Sequence, residues 1–427
     1  MDSFYTDTHF NEFYEELKNS YKLNPATILT KIRHKFMLQY ENKAKTNVKI
    51  LDLHHLQLYK LKVALEGKFM RDVKCNYKFI LTPTPAKVGC DIRELIFNHE
   101  EGTLRDSFLE NIALSSRYLI NNIFKTKIPH ILTDIDDTLF PSKSSLLQTS
   151  GRDTSWKNKE PYPGICKFYE LFYNNLPNES AQYSTVLTAT PMFLKETKME
   201  DETICEILGP NFGFIQGVET KREAIQVIFA GMKDQPFYHF APSAVKIGAE
   251  KFKKFRQYSK IFPEYQLFFI GDNGQGDLLA GKMMIQESPD TLVFIHNIVY
   301  EDKFLFTKAE ESAHQSTTDG RLFFFKNYLE LGYIFTNVLN IFTRAQYEEF
   351  KEAVIVDIQS GLETIPKPNK NLYQHYTCCD DIKTCISPES CIKTEDLLTK
   401  RRTIRRRLSR CRTRKLPRLP KSPTPNP

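Results

Sequence analysis

Between residues 128 and 295, short and mostly apolar runs alternate with longer stretches of helical spacing. The runs at 128–133, 183–187, 266–270 and 291–295 have strand length, and the segments at 166–175, 249–261 and 278–285 repeat their apolar residues at intervals of three and four. Apolar strands joined by helical crossovers predict a parallel sheet with helices on both faces. Ligands of such sheets sit beyond the carboxyl ends of the strands.

Outside this stretch the pattern changes. Phe10, Phe13, Tyr14 and Leu17, and then Leu56, Leu58, Leu61, Val63 and Leu65, follow helical or apolar-rich spacing. Residues 77–89 read as a strand ending in a proline-rich turn, 109–124 as a helix, and 306–365 as helical, with "IPKPNKN" as a linker. The last ~55 residues have few large apolar groups and predict a disordered tail. Four regions result: a mainly helical one at 1–125, an α/β core at 126–305, a helical extension at 306–370 and the tail at 371–427.

Composition narrows the class. With 427 residues, 41% of them hydrophobic, and 32 Phe and 20 Tyr, the chain can bury a sizeable core. No stretch has the ~18 uncharged apolar residues of a membrane span, since 322–342 is interrupted by Lys326 and Glu330. The start, "MDSFYTDTHFNEF", lacks a basic-then-apolar signal, and nine scattered cysteines do not form a dense framework. Both features predict a protein inside a cell with reduced thiols. His375 and the cysteines at 378, 379, 385 and 391 lack paired CxxC spacing and read as free thiols rather than a zinc site.

The net charge is +7, but residues 400–421 hold twelve Lys or Arg and no acid, which leaves +7 − 12 = −5 for the rest. The basicity belongs to the tail. Such a run suits an anionic membrane surface, nucleic acid or an import receptor, so a cytoplasmic, peripheral-membrane or nuclear location is open.

The candidate chemistry follows the apolar runs. After the first comes Asp134-Ile-Asp136-Asp137-Thr138, after the second Thr188-Ala-Thr190-Pro191, and after the third Gly271-Asp272-Asn-Gly-Gln-Gly-Asp277. Asp134 and Asp136, two apart, share a side of an extended segment, with Ile135 turned to the core. Converging carboxylates destabilise a fold unless something neutralises them. With Asp272 they would form an oxygen cage for a hard divalent ion such as Mg2+. Asp137 and Thr138 read as a turn and helix-capping pair.

"DIDDT" resembles the DxDxT motif of the haloacid dehalogenase-like hydrolase superfamily, and "GDNGQGD" resembles its GDxxxxD motif. DxDxT alone would arise by chance in roughly one chain in ten of this length, so the ordered combination carries the resemblance. Within the superfamily, the chain is most similar to the actin-patch-associated phosphatidate phosphatase catalytic domain. It has that family's "DIDDT", its lysine, Lys251, eleven residues before Phe262-Pro263, and its GD-x-G segment within "LFFIGDNGQGD", and it carries "TATP" at 188–191 where the family has S-x-S-P. "VFIHN" at 293–297 stands where that family tends to have a strand ending in Ile-Arg, and Thr188, Thr190 and Met192 depart from its usual residues. The likeness covers about residues 128–300.

The resemblance implies a Rossmann-like haloacid dehalogenase-type fold and a magnesium-dependent phosphomonoester hydrolase, with phosphatidate or a related lipid phosphate as substrate. It makes Asp134 the nucleophile, Asp136 the general acid and base, Thr188 a hydrogen-bond donor to the phosphoryl group and Lys251 a source of positive charge. The metal would be held by Asp134, Asp272 and the backbone carbonyl of Asp136. Asp277 would support the metal shell or Lys251. Two alternatives stay open: a phosphoprotein or nucleotide phosphatase of the same fold, and a nonenzymatic protein binding acidic lipid or nucleic acid through its tail. The sequence does not fix the oligomeric state.

Overall fold

A computed structural model describes residues 12, 13, 16, 31, 32, 55–63, 92–98, 102–139, 141, 161–177, 184–188, 225–229, 244–274, 276–298 and 320–364. The strand expected at 77–89, the linker and the tail with its basic run lie outside the described residues.

Six strands form one sheet: β1 (Ile128–Thr133), β2 (Ser184–Thr188), β3 (Ile225–Phe229), β4 (Tyr265–Asp272), β5 (Leu292–His296) and β6 (Leu322–Phe325). Their order is β3-β2-β1-β4-β5-β6, and every neighbouring pair is parallel. The chain builds outwards from β1 to β3, then returns to β1's other side for β4 to β6. Open parallel sheets bind ligands at such a reversal, which here falls beyond the ends of β1 and β4.

Alternation along the strands explains why both faces are covered. Ile131, Phe268, Ile270, Phe294 and Phe323 pack on one side, against α3 (Ile165–Asn174), α6 (Tyr328–Tyr333), a wide turn at Ile334–Val338 and α7 (Arg344–Thr364). Leu132, Phe269, Val293, Ile295 and Leu322 point the other way. They meet α2 (Gly102–Leu119), α4 (Ala244–Ile261) and α5 (Asp277–Glu287).

A separate helix, α1 (Ile92–Asn98), and the helical residues 55–63 pack on the second side through Ile92, Ile96, Leu58 and Leu61. They are fastened at the start of β4. Lys62 Nζ donates to Glu264 Oε1 at 2.6 Å and to the Ile261 carbonyl at 2.9 Å, and Ser116 Oγ donates to Glu264 Oε2 at 2.6 Å. All three side chains are buried. A buried ion pair of this kind holds only because its remaining polar atoms are also satisfied.

Two strands escape the apolar-run reading. β3 falls in a stretch where no strand was expected, and β6 begins a segment expected to be helical throughout. The helix expected at 109–124 begins earlier, at Gly102, and its last turn widens over Ile120–Phe124. No helix among the described residues is long and apolar enough to cross a membrane.

Candidate functional site

Asp134 follows β1 directly, and its amide donates to the Ile270 carbonyl at 2.9 Å, which extends the β1–β4 ladder by one bond. Asp272 ends β4 and Asp277 opens α5. The three carboxylates therefore gather at the reversal point. Their nearest oxygens lie within 4.8 Å of one another, and all three residues are buried.

Lys251 comes from α4. It precedes Phe255, Tyr258 and Phe262 by four, seven and eleven positions, so it lies in the helix's buried stripe. Its exposure is 1%, whereas the Lys253 side chain is 63% exposed. Its Nζ sits 2.9 Å from Asp134 Oδ2 and donates to Asp277 Oδ1. Burying a lone ammonium would cost several kcal/mol, so Lys251 is stable there only among carboxylates. Burial acts to lower its pKa, but the charges of Asp134, Asp277 and Asp272 outweigh this and raise it.

Two glycines permit the close approach. A Cβ on Gly271 would stand 2.4 Å from Asp277 Oδ2, and one on Gly248 would stand 2.7 Å from the Gly276 carbonyl. The first lets Asp277 fold back over the end of β4, where its Oδ2 accepts from the Asp272 amide at 3.4 Å. The second lets α4 press against the start of α5.

The cluster has more negative charge than Lys251 can balance. Burial pushes the Asp134 carboxyl up to about 7; Lys251 opposes this, while Asp277 and Asp136 add to it. Asp272 is likewise held well above the usual carboxylate range, first by burial and then by Asp277, Asp137 and Asp134. One Asp272 oxygen accepts from the Gly274 amide at 2.5 Å. The other, Oδ2, is buried and has no hydrogen-bond partner among the described residues. An orphaned carboxylate oxygen inside a ring of oxygen donors is what a hard divalent cation would satisfy. The residues present fit a metal ion.

Asp136 lies two residues beyond Asp134 and is half-buried; its carboxylate is not part of the three-residue group. Thr188 ends β2, adjacent to β1, and pairs with Phe229; its side chain is outside the description. Asp137 occupies a turn with φ 59°. Thr138 Oγ1 is buried without a hydrogen-bond partner among the described residues, so it makes no capping bond there.

One residue at this rim was not singled out from the sequence. His296 ends β5 beside Asp272, with Nδ1 2.9 Å from the Asp137 carbonyl and Nε2 3.1 Å from the Lys326 carbonyl. The available signal was a histidine closing an apolar strand at the rim that carries the aspartates.

No family model, curated protein or solved structure matches the chain.

Proposed function

We propose that the protein is a magnesium-dependent phosphomonoester hydrolase of the haloacid dehalogenase type, working through a phosphorylated Asp134. The observation that carries this reading is the buried group of Asp134, Asp272 and Asp277 with Lys251 among them, at the point where the strand order reverses. A magnesium ion held by Asp134, Asp272 and the backbone carbonyl of Asp136 would supply the positive charge that offsets repulsion between a carboxylate and a phosphate.

The chain's own residues account for the rest. Asp134 attacks phosphorus, forming a carboxylate–phosphate bond as the ester bond to the leaving oxygen breaks. Asp136, half-buried and two residues away, gives its proton to that oxygen and then takes one from the water that releases inorganic phosphate. Lys251 holds the Asp134 carboxylate in place, and Asp277 holds Lys251. Thr188, at the end of the neighbouring strand, donates to a phosphoryl oxygen.

Phosphatidate or a related lipid phosphate is the proposed substrate. The twelve cations in residues 400–421 support this choice, because a polybasic segment gains about 1 kcal/mol per residue near anionic lipid. The test is hydrolysis of phosphatidate in vesicles and of soluble phosphomonoesters, with and without magnesium. The expected result is magnesium-dependent release of phosphate, fastest from phosphatidate and lost in Asp134→Asn. Faster turnover of soluble esters would move the substrate to a phosphoprotein or nucleotide, and no turnover of any ester would remove the enzymatic reading.

A further inference from the structure

His296 is 4% exposed and packs between aromatic rings, Phe325 at 5.0 Å and Tyr162 at 4.8 Å. Packing alone does not account for a histidine there. A phenylalanine would fill the same slot, but it would leave the carbonyls of Asp137 and Lys326 without the ring that now faces them. Carbonyl oxygens only accept, so a contact that holds either loop needs a ring N–H: the neutral ring supplies one, to Asp137 or to Lys326 according to its tautomer, and the imidazolium supplies both.

The loop it holds is unusual. Asp137 is fully buried and has φ 59°, a left-handed conformation that costs an L-residue about 1 kcal/mol and persists only where its surroundings enforce it. The next carbonyl, of Thr138, accepts from Tyr328 Oη at 2.9 Å. Two successive carbonyls of the chain reversal after Asp136 are thus held from β5 and α6.

We infer that His296 is a positioning residue for the carboxylates of the site. Its ring ties the reversal at Asp137 to the end of β6 and so fixes where Asp136 stands relative to Asp134 and Asp272. The chemical meaning of that placement rests on the phosphatase reading, whereas the mechanical tie does not.

The experiment compares wild type with His296→Phe, which keeps the packing and deletes both ring nitrogens, and with His296→Gln, which can restore one N–H donor. Amide hydrogen exchange reads the tie without any substrate. The Leu139 amide donates to the Ile135 carbonyl at 2.8 Å inside the turn, and the Thr138 amide donates to the same carbonyl at 3.4 Å. In His296→Phe these two amides are expected to exchange about tenfold faster, with β1 and β4 unchanged, as local opening without global unfolding requires. His296→Gln should recover part of that protection.

If wild type hydrolyses a phosphomonoester, His296→Phe should lower kcat about 10- to 100-fold, as for groups that orient catalytic ligands, while KM stays within about threefold. Unchanged exchange at residues 138 and 139, or an equal rise across the whole sheet, overturns the inference. Should His296→Phe not fold, the same comparison between wild type and His296→Gln decides it. A wild type that turns over nothing sinks the phosphatase reading, while the exchange data still decide the role of His296.

Discussion

Lys251 Nζ and Asp134 Oδ2 stand 2.9 Å apart, both buried, at the end of the central strand. The helix stripe that buries Phe255 and Tyr258 against the sheet also delivers this ammonium, so packing and charge placement are the same act. Replacing Lys251 by Met should destabilise the metal-free protein by about 3 kcal/mol, because removing one partner leaves buried carboxylates unopposed. Urea unfolding in the presence of a chelator measures this. Hydrolysis should fall in the same variant.

Acidity gives a second check. In the folded chain Asp134 keeps its proton up to about pH 7, whereas an unfolded aspartate loses it near 4. The folded state therefore binds the extra proton between those values, and stability falls as pH rises through that window. The melting temperature of the metal-free protein should be lower at about pH 8 than at about pH 5, and Asp134→Asn should flatten the dependence. Magnesium competes with that proton, so its stabilising effect should be larger at the higher pH.

Gly271→Ala isolates the packing of Asp277. The added Cβ would meet the Asp277 carboxylate at 2.4 Å, and Asp277 or the end of β4 must move. Overpacking of this kind costs about 1–3 kcal/mol. The variant should also show a smaller magnesium-induced rise in melting temperature than wild type, since Asp272 and Asp277 would no longer keep their relative positions.

Lys62→Met serves as the contrast. Its partner Glu264 precedes β4, at the end of the sheet opposite the aspartates. Breaking this buried pair should cost about 3 kcal/mol, as at Lys251. The magnesium-induced shift in melting temperature should match that of wild type. A lost shift would mean that the N-terminal helices and the site are coupled.

Much of the sheet was legible because its strands are buried on both faces. The runs ending at Thr133 and Ile270 are apolar at successive positions, and the structure sends Ile131 and Leu132, or Phe268 and Phe269, to opposite cores. The same property hid β6. "LFFF" runs straight into a helical segment, and a short apolar run cannot be told from a buried helix by periodicity. β3 is a five-residue run in a stretch without recognisable signature.

Asp134 and Asp272 were legible because they stand at strand ends, but the third carboxylate of the buried group is Asp277, at the start of α5, in place of the expected Asp136; Lys251 was legible by its spacing to Phe262-Pro263. Its place four residues before Phe255 in the buried stripe is a second signal. His296 could not be placed from local pattern, since its partners are carbonyls of residues 137 and 326, and only the sheet order brings them together.

The most direct measurement is a crystal structure of the protein grown with magnesium and beryllofluoride, a mimic of a phosphoryl group on a carboxylate. The beryllofluoride is expected on Asp134, with one magnesium ion in contact with both Asp134 and Asp272. A metal bound elsewhere, or a beryllofluoride that ignores Asp134 while the protein still hydrolyses phosphomonoesters, would contradict the proposed function.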